Sequence, residues 1–173
     1  MNIKKESVNH FGKLFFALYL LVLIWVILFK LQFSVKDIQR IRDINLAPFY
    51  YDNGTGKTFH IKEVIGNFLL FVPFGIYISM PEKKLNFAVR LLIMAAASLC
   101  LEICQYALSI GVTDITDIIS NAFGGIAGMA FYSRFVKMLK SKKRADTAII
   151  ITAAVVTAEV IGFALLLMSS YFA

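Results

Sequence analysis

The sequence predicts an all-α fold: a polytopic membrane helical bundle of about five transmembrane helices, with the N-terminus inside. Three observations predict it. The 173 residues are 59% hydrophobic, with a mean hydropathy of +0.74, well above the composition of ordinary soluble domains. Several uncharged apolar runs reach the roughly 20 residues that a helix needs to cross about 30 Å of hydrocarbon. The basic residues behind the net charge of +7 flank those runs, as they do in membrane loops. That distribution argues against nucleic acid as a partner and for the lipid bilayer.

Taken in order, Lys13 opens the first span, and Leu14–Phe29 carries no charge before Lys30. Lysines at the two ends can snorkel to the interfaces. No small-residue cleavage site follows this run, so it reads as a retained span and not a signal peptide. Ser34–His60 is the longest loop. Pro48 biases Ala47 away from helix, and Asp52-Asn53-Gly54 is a turn signal. Leu46, Phe49, Tyr50 and Tyr51 suggest that part of this loop lies back on the membrane surface. The second span covers about Ile61–Met80. Asn67 is its one amide, and Pro73 with Gly75 interrupts its hydrogen-bond ladder, which would open a cavity beside Asn67. Pro81–Lys84 is a turn, and the third span covers about Phe87–Leu108. Cys100 and Cys104 have no clustered His, so they read as buried free thiols and not a metal motif. The fourth span covers about Val112–Phe135. A basic loop, Arg134–Asp146, precedes the fifth, about Thr147–Phe172, which holds Glu159 alone near its centre. No repeat or separate soluble domain is visible, so residues 1–173 read as a single integral membrane domain.

Counting Lys and Arg sets the orientation. Lys4, Lys5, Lys13, Lys83, Lys84, Arg90 and six residues of the Arg134–Asp146 loop make twelve on one side. Lys30, Lys36, Arg40, Arg42, Lys57 and Lys62 make six on the other. The positive-inside bias therefore places the N-terminus in the cytoplasm and the C-terminus outside.

The polar residues inside the apolar segments carry the functional argument, because carboxylates there are expensive and are kept where they face a partner, a cavity or a ligand. Glu102 and Gln105 are three apart and share a helix face. Asp114, Asp117 and Asn121 step by three and then four and share another. Ser109–Thr113 can turn the chain between them, and Asp114 is also a favoured N-cap for the fourth span. Gly124 and Gly128 form a small-xxx-small pair that admits a neighbouring helix backbone. At about 1.5 Å per residue, Glu102 and Asn121 both lie roughly 10–15 Å below the outer turn. Asn67 falls near the same depth, and the Arg42–Pro48 stretch lies just above. Glu102, Asp117, Asn67 and Asn121 are thus expected to form one polar cluster in the outer half of the membrane.

At these residues the chain resembles the VanZ-like family of bacterial membrane proteins. The resemblance runs through Arg42, Asn45, Leu46, Pro48 and Phe49, then Asn67, Phe71, Pro73, Phe74 and Gly75. It continues through Glu102 and Gln105 to Asp114, Asp117, Asn121 and Gly124, and covers nearly the whole chain. Many relatives carry an Arg shortly before the first Asp. Gly111, Val112 and Thr113 occupy that stretch here, so a role for that Arg does not carry over. The resemblance implies a multi-pass protein of the bacterial cell membrane, linked to resistance against the glycopeptide antibiotic teicoplanin.

Three function classes follow. The first is a resistance factor whose outer-leaflet pocket binds or alters an envelope component, such as a lipid-linked cell-wall precursor or the glycopeptide itself. Asn67, Gln105, Asp114, Asn121, Arg42 and Asn45 would then be binding residues. The second is an intramembrane enzyme on a lipid or peptidoglycan-precursor headgroup, with Glu102 or Asp117 as general base or divalent-metal ligand. The lack of a Ser-His or Cys-His constellation weighs against it. The third is a small transporter, favoured by Glu159 and the interrupted second span. The sequence identifies no cofactor and no dedicated metal-ligand set, and it is compatible with a homo-oligomer.

Overall fold

The computed structural model describes residues 3–29, 41–52, 57–58, 61–81 and 85–172. Expectations placed on Ser34–Arg40, the Asn53-Gly54 turn, His60 and the Lys83-Lys84 turn lie outside these residues. Among the described residues the fold is built from five α-helices. They are α1 (Ile3–Phe29), α2 (Ile61–Ser79), α3 (Phe87–Leu108), α4 (Ile115–Leu139) and α5 (Lys142–Phe172). Three of them, through His10–Leu28, Ile61–Ser79 and Phe87–Leu108, are long and apolar enough to cross a membrane. Four short strands lie between the helices: β1 (Ile41–Asn45), β2 (Tyr51–Asp52), β3 (Lys57–Thr58) and β4 (Ile110–Asp114).

The chain divides into two compact units. The smaller comprises residues 1–19 and 135–173. In it, Ser141 starts α5 by accepting from Arg144 N through Oγ at 3.3 Å. Lys142 and Asp146 then form an i,i+4 ion pair at 2.6 Å on the first turns.

The larger unit, Leu20–Arg134, holds the polar residues singled out above. Its core gathers Leu23, Ile27 and Leu28 of α1, Phe71 and Phe74 of α2, Met94 and Leu101 of α3, and Met129 and Tyr132 of α4. In a bilayer, leaving lipid for a helix neighbour gains little hydrophobic energy, so close packing and hydrogen bonds hold such a unit together. The α4 glycines supply the close packing. A Cβ at Gly124 would collide with the Phe68 carbonyl oxygen of α2, and one at Gly128 with that of Val72. A Cβ at Gly125 would collide with the Met94 sulfur of α3. The small-xxx-small pair thus seats α2 against α4. Helix α2 continues through Pro73 without a break in its helical span.

At the other end of this seam, Asn86 caps α3 by accepting from Val89 N at 2.8 Å. Arg90 reaches back to the end of α2, donating from Nη1 to Ser79 Oγ at 3.3 Å. Cys100 and Cys104 are free thiols, as expected, but not buried ones: Cys100 is exposed and Cys104 half-buried. The buried face of α3 is the stripe Met94, Ser98, Leu101, Glu102 and Gln105. Cys100 lies off that stripe, on the exposed face of the helix.

Candidate functional site

The Ser109–Thr113 segment does more than turn the chain. Helix α3 ends at Ser109, whose left-handed backbone (φ 54°) lets its N–H reach back to Gln105 and Tyr106 carbonyls. The chain then enters β4, which runs parallel to β1 in the register Ile41↔Ile110 through Asn45↔Asp114. A stretch of the long loop is therefore paired, backbone to backbone, with the segment that feeds α4.

The last rung of this pair is the centre of the site. Asn45 donates Nδ2 to Asp114 Oδ2 at 2.9 Å and to the Tyr50 carbonyl at 2.8 Å, while its Oδ1 accepts from Ala47 N at 3.0 Å. The Asn45 amide is thereby used on both sides to shape the Leu46–Tyr50 turn. Asp114 is equally occupied. Its Oδ1 accepts from Thr116 N at 2.7 Å, the N-cap role expected of it. Its own N–H donates to Glu102 Oε2 at 3.0 Å. Phe49 closes the turn with a left-handed backbone (φ 66°) and donates its N–H to Thr116 Oγ1 at 2.9 Å.

Arg42 joins the same strand pair to α3. It donates from Nε to the Tyr106 carbonyl at 3.2 Å and from Nη2 to the Ala107 carbonyl at 3.3 Å. Its guanidinium also lies 5.2 Å from the centre of the Tyr106 ring. The Tyr106 carbonyl already accepts from Ser109 N, and Arg42 adds a charged donor at this helix C-terminus, where a cation complements the helix dipole.

A narrow cleft of about 10 Å³ opens at this rung. Asp114, Thr116 and Asp117 line it from the start of α4, Glu63 and Val64 from the start of α2, and Phe49 and Tyr50 from the turn. Three carboxylates thus share one concavity. Among the described residues no group of three or more His, Cys, Asp or Glu is arranged to hold a metal ion.

The other predicted site residues lie as follows. Glu102 is 1% exposed and stands behind Asp114 as the acceptor of its backbone N–H. It is not part of the cleft lining. Asn121 is buried and donates Nδ2 to Ser98 Oγ of α3 at 2.8 Å. Gln105 is buried and donates Nε2 to the Ile27 carbonyl of α1 at 3.0 Å. The amide oxygens of Asn121 and Gln105 find no hydrogen-bond partner among the described residues. Asn67 is half-buried on α2 and not part of the cleft lining, and Glu159 is exposed on α5. The structure therefore brings Asn45, Asp114 and Asp117 to one place, with Glu102 directly behind. Glu63 and Thr116 join them without having been singled out as site residues. Glu63 reads from sequence as an ordinary acidic residue in a first helical turn. Thr116 offers only a small hydroxyl beside two aspartates.

The family model for VanZ/LLP1 matches residues 16–139. The chain belongs to the VanZ/LLP1 family. The matched stretch contains every residue of the cleft and of the strand pair. Among curated proteins, the chain is similar to Protein VanZ of Enterococcus faecium, with 38% identity over 129 residues, covering 73% of this chain and 76% of that protein. No solved structure matches the chain.

Proposed function

We propose that this VanZ/LLP1-family chain is a multi-pass protein of the bacterial cell membrane that contributes to resistance against teicoplanin-type glycopeptides. The reading places the N-terminus in the cytoplasm and the Asn45–Asp114 rung toward the outer leaflet, following the Lys and Arg distribution. The cleft lined by Asp114, Asp117 and Glu63 is its working site and binds an envelope component. The observation that carries this reading is family membership across 16–139, the stretch that also builds the cleft.

Chemically, the arrangement suits binding better than bond breaking. Asp114 is committed to Asn45 and to the α4 cap, and Glu102 to a backbone N–H. Such fixed acceptors hold a shape for a ligand. Asp117 and Glu63 complete the lining at the first turns of two helices. Expression in a susceptible Gram-positive host tests the proposal. It should lower sensitivity to teicoplanin, more than to vancomycin. Unchanged sensitivity at confirmed membrane abundance would remove the assignment.

A further inference from the structure

The α2–α3 end of the larger unit carries a charge that its surroundings leave unanswered. Arg90 stands one turn inside α3, a helix long and apolar enough to cross a membrane. Its guanidinium is a permanent charge with donors on both terminal nitrogens and on Nε. Of these, Nη1 donates to Ser79 Oγ at 3.3 Å. A hydroxyl oxygen accepts that bond but supplies no counter-charge. The Ser79 hydroxyl is itself buried and donates to the Gly75 carbonyl at 2.8 Å. Nε is buried without a hydrogen-bond partner, and Nη2 makes no hydrogen bond among the described residues. No carboxylate among them pairs with Arg90. A charge inside a membrane-spanning segment that lacks an internal partner is kept where it meets an external one.

We infer that Arg90 binds the phosphate of a membrane phospholipid at this end of the unit, which is the inner leaflet on the topology proposed above. The planar guanidinium matches the geometry of a phosphate, which supplies both the missing counter-charge and strong acceptor oxygens. The start of α3 adds to the same field. Asn86 Oδ1 takes the Val89 N–H, and the Asn86 carbonyl takes the Arg90 N–H at 3.2 Å. The Phe87 and Ala88 N–H groups make no hydrogen bond among the described residues, and they lie at the positive end of the helix dipole. Long helical side chains lean toward the helix N-terminus, and the bond to Ser79 holds the Arg90 head at that end. The neighbours select a lipid as the source of the phosphate. Leu85 is 38%, Phe87 58% and Val89 38% exposed, so apolar side chains beside the charge offer contact to acyl chains. This site is separate from the cleft at the Asn45–Asp114 rung and uses none of its carboxylates.

The test is lipid retention by the full chain purified in detergent. Phosphatidylglycerol and glucosyl-diacylglycerol of identical chains are offered in equal amounts, and bound lipid is read by native mass spectrometry. Wild type should retain the phospholipid over the glycolipid by roughly tenfold, the scale of one hydrogen bond to a charged group. Arg90→Gln, which keeps a polar end without the charge, should bring the ratio near one. Arg90→Lys, which keeps the charge without the planar fork, should give an intermediate ratio, and it carries the test if the Gln variant does not elute as a folded species. Arg134→Gln, at an exposed position of α4, should keep the wild-type ratio. Equal retention of the two lipids by wild type would overturn the inference, as would a wild-type ratio in Arg90→Gln or Arg90→Lys. Thermal unfolding in detergent separates the two sources of the anion. Phosphatidylglycerol should raise the melting temperature of wild type and not of Arg90→Gln, and inorganic phosphate should match a chloride control of equal ionic strength. Stabilisation by inorganic phosphate that Arg90→Gln abolishes would overturn the lipid as occupant and leave a free-phosphate site.

Discussion

Asn45 and Asp114 face each other across the last rung of a parallel strand pair, joined by a 2.9 Å hydrogen bond from the Asn45 amide to Asp114 Oδ2. This bond ties the long loop after α1 to the start of α4. Asn45→Ala should therefore loosen the Leu46–Tyr50 turn without unfolding the helices. Hydrogen exchange should quicken at the Ala47 and Phe49 amides, which donate to Asn45 Oδ1 and Thr116 Oγ1, while α2 and α3 stay protected. Equal protection of the turn in wild type and variant would refute this account of Asn45.

Glu102 should behave as a positioning residue. It is buried and accepts the Asp114 N–H. Glu102→Ala leaves that donor without its partner, which costs about 1–3 kcal/mol when the site is buried. Glu102→Gln keeps an acceptor oxygen at the same reach. The expected result is reduced membrane abundance for Ala and near wild-type abundance for Gln, measured by quantitative immunoblot of membranes. Equal abundance for the two variants would contradict the role.

The α2–α4 seam makes a stability prediction. Gly124→Ala and Gly128→Ala place a methyl group against the Phe68 and Val72 carbonyl oxygens, so the helices must separate. Overpacking of this kind costs about 1–3 kcal/mol. Gly66→Ala meets nothing within 4 Å and is the matched control. Thermal unfolding followed by size exclusion in detergent should show the first two melting well below wild type. The third should stay at or above it, since Ala favours the helix.

Orientation can be read chemically. In a chain with Cys100 and Cys104 replaced, a cysteine at Leu46, 74% exposed, should react with an impermeant maleimide in intact cells. One at Lys143 should react only after the cells are opened. The reverse pattern would invert the topology and move the site to the cytoplasmic side.

How far the sequence was legible depends on the length over which each signal is spread. The bounds of α3 follow from a long apolar run, interrupted only by Arg90 and Glu102, that ends where Ser109 breaks it, and α2 is read nearly as well. Helix α4 starts three residues later than expected, at Ile115 instead of Val112, because Val112–Asp114 is drawn into the strand pair. That pairing was hidden. Its two strands are five residues each, and Ile41 and Ile110 are separated by the whole of α2 and α3. The β-branched residues Ile41, Ile44, Ile110, Val112 and Thr113 were the available signal, masked by the apolar background of the chain. At the site, the three- and four-residue steps put Asp114, Asp117 and Asn121 on one helix face, whereas Asp114 belongs to β4 and only Asp114 and Asp117 of the three line the cleft. They did not show that Asn121 would turn to Ser98 and Gln105 to Ile27, because small hydroxyls and backbone carbonyls leave no periodic mark.

The central claim is that the carboxylates of the cleft work on a ligand and do not merely hold the bundle. Asp117→Asn tests it most directly, because it changes one lining carboxylate into its isosteric amide. The measurement is teicoplanin susceptibility of a Gram-positive host expressing wild type or Asp117→Asn at equal membrane abundance. The account predicts that the variant reaches wild-type abundance and loses most of the protection. Full protection by Asp117→Asn at that abundance would contradict it.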